Sequence, residues 1–374
     1  MQLVRSAAAF ALLGSSANSE RTASNLPRRI ARSAIVPPMS DRSILTIGNF
    51  DGVHVGHAAL VRTARSLAKE LGAPAVTVLA FDPHPARLLV PHAEPARLST
   101  FAHRAELLRA AGADHVVRLE PTRDLLELSP NAFLDWAVTH HSCVGIVEGH
   151  DFHFGRGRAG TPRILQEFGR ERSIAVKIED ALMVDLCDQT TVRASSTIIR
   201  WLLAHGRVTD AHRVLGRPFV LGGTVVRGDQ RGRTLGFPTA NLDPASLGGV
   251  VLPRDGVYAG LARLPGAARA AALPAAVHIG PRATVGSHHR VVEVHVIGWN
   301  GPAPEAEYHW PLSVGLLAHL REPMKFDGVG ALKEQIARDR DRAAQIAAAY
   351  NGPAVGGAPA ARSGARSFPQ ESLA

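Results

Sequence analysis

The stretch GNFDGVHVGH, residues 48–57, decides how the chain is interpreted. It places His54 and His57 three positions apart, directly after the apolar run ILTIG at residues 44–48. This run is typical of a buried strand, and the amphipathic segment that follows predicts a helix. The two histidines are then either solvent-exposed turn residues or side-chain donors for the phosphates of a nucleotide. The surrounding sequence distinguishes these two interpretations.

Alternating strand and helix patterns extend from this stretch to about residue 205. The apolar runs PAVTVLAF (residues 74–81), DHVVRL (114–119) and CVGIVEG (143–149) are separated by helical patterns. Continuously apolar strands that alternate with helices predict a doubly wound parallel sheet of the α/β class. Ligands bind such a sheet beyond the carboxyl ends of its strands, which is where residues 48–57 lie.

The pattern changes after Gly216. Residues 196–216, STIIRWLLAHGRVTDAHRVLG, predict two short helices, and the short strands that follow are interrupted by glycine and proline. Such strands predict a small antiparallel β-barrel, which a C-terminal helix at about residues 328–350 completes. We therefore expect two domains, residues 41–206 and 207–350, and a chain of 374 residues is long enough for both.

The two ends of the chain have a different composition. Residues 1–40 are rich in Ala, Ser and Arg, and Glu20 is their only acidic residue. Three interpretations stay open for them: a disordered extension, a targeting peptide, or a misassigned start with Met39 as the first residue. Residues 351–374 are rich in Gly, Pro, Ala and Ser, which predicts a disordered tail.

Composition narrows the classes of partner. The formal net charge of +9 favours anionic ligands, but the arginines are scattered and no basic run is interleaved with aromatic residues. We therefore expect no nucleic-acid partner. Cys143 and Cys187 form no CxxC pair, which argues against structural zinc and against a disulfide framework. No apolar stretch approaches the roughly 20 residues of a membrane span, so we expect no membrane partner and predict a cytoplasmic location.

Two glycines and a second segment favour an anion site near His54. Gly52 and Gly56 allow a sharp turn and a close approach of the backbone to a ligand. The helix that follows directs its N-terminal N–H groups and the positive end of its dipole at the same place. RASSTIIR, residues 193–200, adds hydroxyl and guanidinium groups where another helix begins. An N-cap with surface arginines would give the same pattern, so both interpretations stay open at this point.

GDQRGRTLGFPTANL, residues 228–242, is the most specific stretch in the chain. A loop that contains Gly228 and Gly236 can wrap phosphates with backbone N–H groups, although the Walker signature is missing. In an extended segment residues two apart face the same side, so Thr239 and Asn241 would point together, as oxygen ligands of Mg²⁺ do. The alternative is a glycine-rich hairpin whose Thr and Asn satisfy a turn.

These motifs together carry a resemblance. The HxGH pattern after the first strand resembles the nucleotidyltransferase superfamily. With FDPHP (residues 81–85) and DFHFGRGRAG (151–160), it is similar to the adenylylating half of the bifunctional riboflavin kinase/FMN adenylyltransferase family, the prokaryotic FAD synthetases. Residues 228–242 are similar to the riboflavin kinase signature of that family. The resemblance extends from about residue 44 to about residue 345.

The resemblance implies two reactions and a set of site residues. Riboflavin and ATP would give FMN, and FMN and a second ATP would give FAD and pyrophosphate, with Mg²⁺ as the metal cofactor. The catalytic residues implied are His54, His57 and Glu293, and Thr239 and Asn241 are implied as the metal ligands. The implied nucleotide- and flavin-binding residues are Asp51, Gly56, His84, Asp151, Arg193, Ser196, Thr197, Arg200, Gly228, Gly236, Thr239 and Asn241.

Glu293 lies in the alternating segment RVVEVHVIGW, residues 290–299. Val292, Val294 and Val296 share one face of this strand, and Glu293 shares the other face with His295. We expect the Glu293 carboxylate to point into the barrel, where a charged group is costly unless it is used. The resemblance implies that it accepts the proton of the riboflavin 5′-hydroxyl. An outward-facing Glu on an amphipathic strand is the alternative.

One segment departs from the family pattern. Residues 278–285, HIGPRATV, differ from the NIGTRPTF-like segment usual at this place. This difference keeps open an enzyme in which only the adenylyltransferase half is active. A flavin- or nucleotide-binding regulatory module without turnover is a further alternative. For the oligomeric state we expect a monomer or a weak homo-oligomer.

Overall fold

The computed structural model describes residues 42–266, 272–281, 290–299, 307–353 and 355. The expectations for residues 1–40 and for most of the tail at 351–374 lie outside these residues. The same is true of residues 282–285 in the segment that departs from the family pattern.

A five-stranded parallel sheet forms the first half of the described chain, which confirms the predicted doubly wound architecture. Its spatial order is β3-β2-β1-β4-β5. The strands are β1 (Ser43–Gly48), β2 (Ala75–Phe81), β3 (His115–Leu119), β4 (Cys143–Gly149) and β5 (Ala175–Glu179). The helices are α1 (Val55–Glu70), α2 (Ala86–Leu89), α3 (Phe101–Ala111), α4 (Arg123–Leu126), α5 (Pro130–His140) and α6 (Pro162–Arg172), with 3₁₀ turns at Pro91–Ala93 and Arg156–Arg158. A small antiparallel hairpin, β6 (Met183–Asp185) and β7 (Thr191–Arg193), follows.

The strand order places a crevice beside β1. The chain proceeds from β1 to β2 on one side, and β4 pairs with β1 on the other side. The strand order therefore reverses at β1, and ligands of open α/β sheets usually bind in the crevice at such a point. Residues 48–57 begin at the carboxyl end of β1, so the fold positions them at this crevice.

Two short helices and a closed barrel form the second half, as predicted from the pattern around Gly216. The helices are α7 (Ser196–Ala204) and α8 (Val208–Leu215). The barrel has the order β10-β11-β12-β9-β8-β13 and consists of β8 (Phe219–Val226), β9 (Ala240–Leu242), β10 (Gly256–Arg263), β11 (Leu273–Pro281), β12 (Arg290–Val296) and β13 (Pro311–Arg321). The short helix α9 (Arg231–Thr234) lies between β8 and β9, and α10 (Val329–Ala348) follows the barrel.

The barrel and the helices α7 and α8 share one apolar core. Ile199 and Leu202 on α7 and Val208 on α8 are fully buried in the same cluster as the barrel residues Tyr258 and Val292. Burial of each large aliphatic side chain contributes about 1.5–3 kcal/mol. In the described part of the chain, no helix is long and apolar enough to cross a membrane.

His141, at the end of α5, makes the stability of the sheet half depend on pH. Its side chain is buried, and neither ring nitrogen has a hydrogen-bond partner among the described residues. Burial, with a smaller contribution from the charge of His140, lowers the pKa of His141 to about 4. Below about pH 6.5, His141 takes up a proton in the unfolded chain but not in the folded protein. The free energy of unfolding is therefore unaffected by His141 above that pH and decreases as the pH falls toward 4.

We therefore expect His141→Phe to lessen the acid sensitivity of the fold. Between pH 7 and pH 5, the wild-type protein should lose about 2 kcal/mol more unfolding free energy than the variant, because only the wild type has His141 to protonate on unfolding. Urea unfolding at the two pH values measures this difference. His140→Phe is the control, and an equal loss in wild type and His141→Phe would contradict the prediction.

Candidate functional site

The turn between β1 and α1 is built from uncommon backbone conformations. Phe50 and Val53 have positive φ angles of 49° and 42°, and Gly52 has φ 78°. Side chains other than glycine adopt this region at a cost, so the surrounding structure must hold the turn. The Nδ1 atom of His54 accepts the backbone N–H of His57 at 3.3 Å and thereby caps α1. The single proton of a neutral His54 ring therefore lies on Nε2.

The two histidine rings stack on each other with their centroids 3.6 Å apart. Burial, followed by the charges of Arg217 and Arg193, lowers the pKa of His54 to about 3. Burial and the adjacent His54 hold the pKa of His57 well below its ordinary value. Both rings are neutral at pH 7, so each supplies one N–H donor and no charge.

The first turn of α7 contacts the same loop. Ser195 caps the helix by accepting the N–H of Ile198 at 3.2 Å. The hydroxyl of Ser196 donates to the carbonyl of Asp51 at 2.7 Å. The structure therefore joins two motifs that are about 140 residues apart in the sequence, at one helix N-terminus that favours anions.

A cavity of about 640 Å³ lies at the carboxyl ends of β1, β2, β4 and β5. Its size falls in the usual range for small-molecule sites. Seven of the predicted site residues line it: His54, Gly56, His57, His84, Asp151, Arg193 and Ser196. Arg193 and Asp151 form a half-exposed ion pair at 3.3 Å, and His84 lies 3.1 Å from the amide nitrogen of Asn49.

Three predicted ligand residues do not line this cavity. The Asp51 carboxylate accepts the N–H groups of Leu98 at 2.9 Å and Ser99 at 3.2 Å, and it pairs with Arg200 at 2.6 Å. Both partners are thus engaged with protein rather than open to a ligand. Thr197 is exposed in the first turn of α7. Asp51 and Arg200 hold the motif loop in place, which the sequence pattern did not distinguish from ligand binding.

Glu148 lines the cavity and was not predicted. It is the residue before the last one of β4 and is buried, and its carboxyl oxygen accepts the N–H of Ile47 at 2.6 Å. Burial raises the pKa of Glu148 well above its ordinary value, and the nearby Asp151 adds to the rise. No motif marks this position, because a single Glu in an apolar strand has no signal of its own.

A second cavity, of about 470 Å³, opens at the barrel. Gly228, Thr239 and Asn241 line it together with apolar side chains that include Val294 and Trp310. Gly228 allows the loop to approach the Asn241 side chain closely, because a Cβ at this position would lie 2.3 Å from the Asn241 amide nitrogen. Thr239 and Asn241 therefore face the same space, as their spacing predicts.

The oxygens in the second cavity suit a magnesium ion. The buried amide oxygen of Asn241 has no hydrogen-bond partner among the described residues, and Thr239, which carries a hydroxyl, lines the same cavity. Among the described residues no group of three or more His, Cys, Asp or Glu is arranged to hold a metal. Mg²⁺ commonly binds one or two protein oxygens and completes its shell with phosphates and water, so this donor set fits.

The prediction that Glu293 points into the barrel is wrong. Val292, Val294 and Val296 fill the core, and the half-buried Glu293 lies on the opposite, outer face of β12. There it is directly opposite Asn241 on β9 and His278 on β11. Glu293 therefore lies next to a cavity residue, although it does not line the cavity itself. Gly236, with φ 88°, shapes the loop before Thr239 and also does not line the cavity.

Comparisons with known proteins match both halves. The FAD synthetase family model matches residues 36–197, and the riboflavin kinase family model matches residues 215–347. The chain belongs to the bifunctional riboflavin kinase/FMN adenylyltransferase family. We name each cavity after the family half in which it lies, so that the cavity at the sheet is called the adenylyltransferase site and the cavity at the barrel is called the kinase site.

Members of this family from several bacteria are similar over most of their length. The bifunctional riboflavin kinase/FMN adenylyltransferase of Escherichia coli (strain K12) is 36% identical over 301 residues, which are 79% of this chain and 90% of that protein. The Pseudomonas fluorescens protein of the same name is 35% identical over 307 residues, 82% of this chain and 93% of that protein.

A solved structure matches as well. The crystal structure titled macrolide-efflux protein from Streptococcus pneumoniae has a TM-score of 0.72 and 27% sequence identity, and the match covers 82% of this chain and 95% of that chain. The match agrees with the architecture described above.

Proposed function

We propose that the chain phosphorylates riboflavin to FMN at the kinase site and adenylylates FMN to FAD at the adenylyltransferase site, with ATP as the second substrate of both reactions. The observation that carries this proposal is that each family half holds a cavity lined by its own motif. His54 and His57 line the first cavity, and Thr239 and Asn241 line the second. Both enzyme halves are present in the family matches.

Adenylylation requires little beyond positioning and charge stabilisation. An oxygen of the FMN phosphate attacks the α-phosphorus of ATP, the bond to the bridging oxygen breaks, and pyrophosphate leaves. The attacking oxygen is already anionic, so no protein nucleophile or base is needed. The neutral rings of His54 and His57 donate hydrogen bonds to the phosphates, Arg193 adds a charge, and the N-terminus of α7 adds its dipole.

Riboflavin phosphorylation needs a proton acceptor. The riboflavin 5′-hydroxyl attacks the γ-phosphorus of ATP, ADP leaves, and the Glu293 carboxylate accepts the hydroxyl proton. Because the transition state of phosphoryl transfer is loose, an ordinary carboxylate is sufficient as a base. The backbone of the loop at residues 228–236 surrounds the phosphates of ATP.

Thr239 and Asn241 would hold Mg²⁺ at the kinase site. When bound there, the ion screens the negative charge of the phosphates. The orphaned amide oxygen of Asn241 supports this role. A cytoplasmic location and a monomeric or weakly self-associating state remain predictions.

One assay tests the proposal. Purified protein with riboflavin, ATP and Mg²⁺ is expected to produce FMN first and FAD later, as separated by chromatography. Removing the metal with EDTA should abolish both products, because phosphates without a counter-cation repel the attacking oxygen, and added Mg²⁺ should restore them. FAD formed only from supplied FMN would show that one half alone is active, and the absence of both products would favour a non-catalytic binding module.

A further inference from the structure

Arg217 links the two halves at the adenylyltransferase site. It follows Gly216, the C-cap of α8, and lies in the part of the chain that the riboflavin kinase family model matches. Its side chain is only 4% exposed. Nη2 donates to the carbonyl of Gly52 at 2.7 Å, and Nη1 lies 3.4 Å from the carbonyl of Val53. An arginine of the second half therefore holds the two residues that precede His54.

The guanidinium of Arg217 has no carboxylate partner in the part of the chain that the structure describes. Among the described residues no acidic oxygen pairs with Arg217, its other contact is the carbonyl of Leu215 at 3.3 Å, and its Nε atom is buried without a partner. Burial lowers the pKa of Arg217 to about 9, so the side chain is still cationic at pH 7. A buried charge is costly unless a counter-charge is present, and carbonyl dipoles compensate it only in part.

The position of Arg217 indicates which anion could compensate its buried positive charge. The turn it holds has positive φ angles at Gly52 and Val53 and leads directly to His54. The charge of Arg217 already acts on His54, whose protonation it opposes. Among the described residues no carboxylate lies within ion-pair distance of Arg217, whereas His54, which follows the turn, lines the cavity proposed for the triphosphate of ATP.

We propose that Arg217 is a positioning residue of the adenylyltransferase site, which fixes the Gly52–Val53 turn and whose uncompensated charge is balanced by the bound triphosphate. This inference rests on the proposed adenylyltransferase function. It makes the first residues of the kinase half part of the apparatus that binds ATP in the other half. Arg217 itself touches no substrate, since it does not line the cavity.

Steady-state kinetics of the full chain test the proposal. With FMN and ATP as substrates, Arg217→Met is expected to raise the KM for ATP in adenylylation by about 10- to 100-fold, because the charged hydrogen bonds that fix the Gly52–Val53 turn and the positive charge beside His54 are both lost. Riboflavin phosphorylation by the same variant should be unchanged, because the kinase cavity does not include the turn that Arg217 holds. Arg213→Met is the matched control, since Arg213 lies on α8 and donates to the Asp185 carbonyl at 3.1 Å, away from the Gly52–Val53 turn.

The other variants make the outcome decisive. Arg217→Lys restores the charge and is expected to recover most of the ATP affinity; a Lys variant no better than Met would overturn the charge argument. Arg217→Gln serves if the Met variant does not fold. An unchanged KM for ATP in the folded variants, or an equal fall of both activities, would overturn the proposal. Absence of adenylylation in the wild type would instead refute the proposed function.

Discussion

His57→Ala is expected to lower the rate of FAD formation from FMN and ATP by about two to three orders of magnitude. The His57 ring lines the adenylyltransferase site and stacks on His54, so its loss removes one donor and also the support of the other ring. Both rings are neutral, so the effect should come from lost hydrogen bonds and not from a lost charge. Riboflavin phosphorylation should continue, because the kinase cavity contains neither histidine.

The measurement is chromatography of FMN and FAD formed by the purified variant. The control is His115→Ala, because His115 is exposed at the amino end of β3, away from the crevice. In His57→Ala, FMN should accumulate from riboflavin and FAD should not. Adenylylation at the wild-type rate would refute the role of the histidine pair.

Glu293→Ala is expected to have the reciprocal effect. Removing a general base lowers a rate by about 10²- to 10⁴-fold, so riboflavin phosphorylation should fall in that range while adenylylation of supplied FMN continues. The outer-face position of Glu293, opposite Asn241, makes this test informative. A structural carboxylate there would affect stability and not turnover.

Two further variants separate these roles. Glu293→Gln keeps the shape of the side chain but cannot take a proton, so it should be as inactive as the alanine variant. Glu334→Gln removes an exposed carboxylate from α10 of the same half and should be active. Kinase turnover at the wild-type rate in Glu293→Gln would show that the proton leaves by another route.

The architecture was predictable because its signals are local. The alternation of apolar runs and amphipathic segments up to residue 205, and its change after Gly216, follow from the different periods of buried strands and helices. The alternation of residues along β12 also predicts which face of this strand is buried. Three valines two residues apart outweigh a single Glu, and the catalytic argument for an inward carboxylate gave the wrong face.

The site was predictable only where its residues belong to motifs. His54, Ser196 and Asn241 stand in strings that mark them. Asp51 stands in the same kind of string, yet its carboxylate is engaged by the amides of Leu98 and Ser99, which are 47 and 48 residues away in the chain. Such contacts are set by tertiary packing, which no local pattern reports.

Glu148 and Arg217 are residues at or beside the site that no sequence motif marks. Neither has a distinctive neighbour in the sequence, and each acquires its character from burial. Glu148 contacts Ile47 on the adjacent strand, and Arg217 contacts a turn about 165 residues earlier. Their pKa values are shifted because the packed protein excludes water from them, so only the folded chain identifies them.

Helix α7 contributes residues both to the nucleotide cavity and to the core of the barrel. Its first turn brings Ser196 to the nucleotide cavity, while Ile199, Leu202 and Leu203 are buried in the cluster that fills the barrel. Any attempt to split the gene into two independent enzymes would have to assign this helix to one product. Without α7, the fragment with the histidines would lose Ser196 from the lining of its cavity. The fragment with the barrel, if it lacked α7, would expose apolar side chains of its core. A single chain avoids this choice, because one helix then completes the nucleotide cavity and the core of the barrel at the same time.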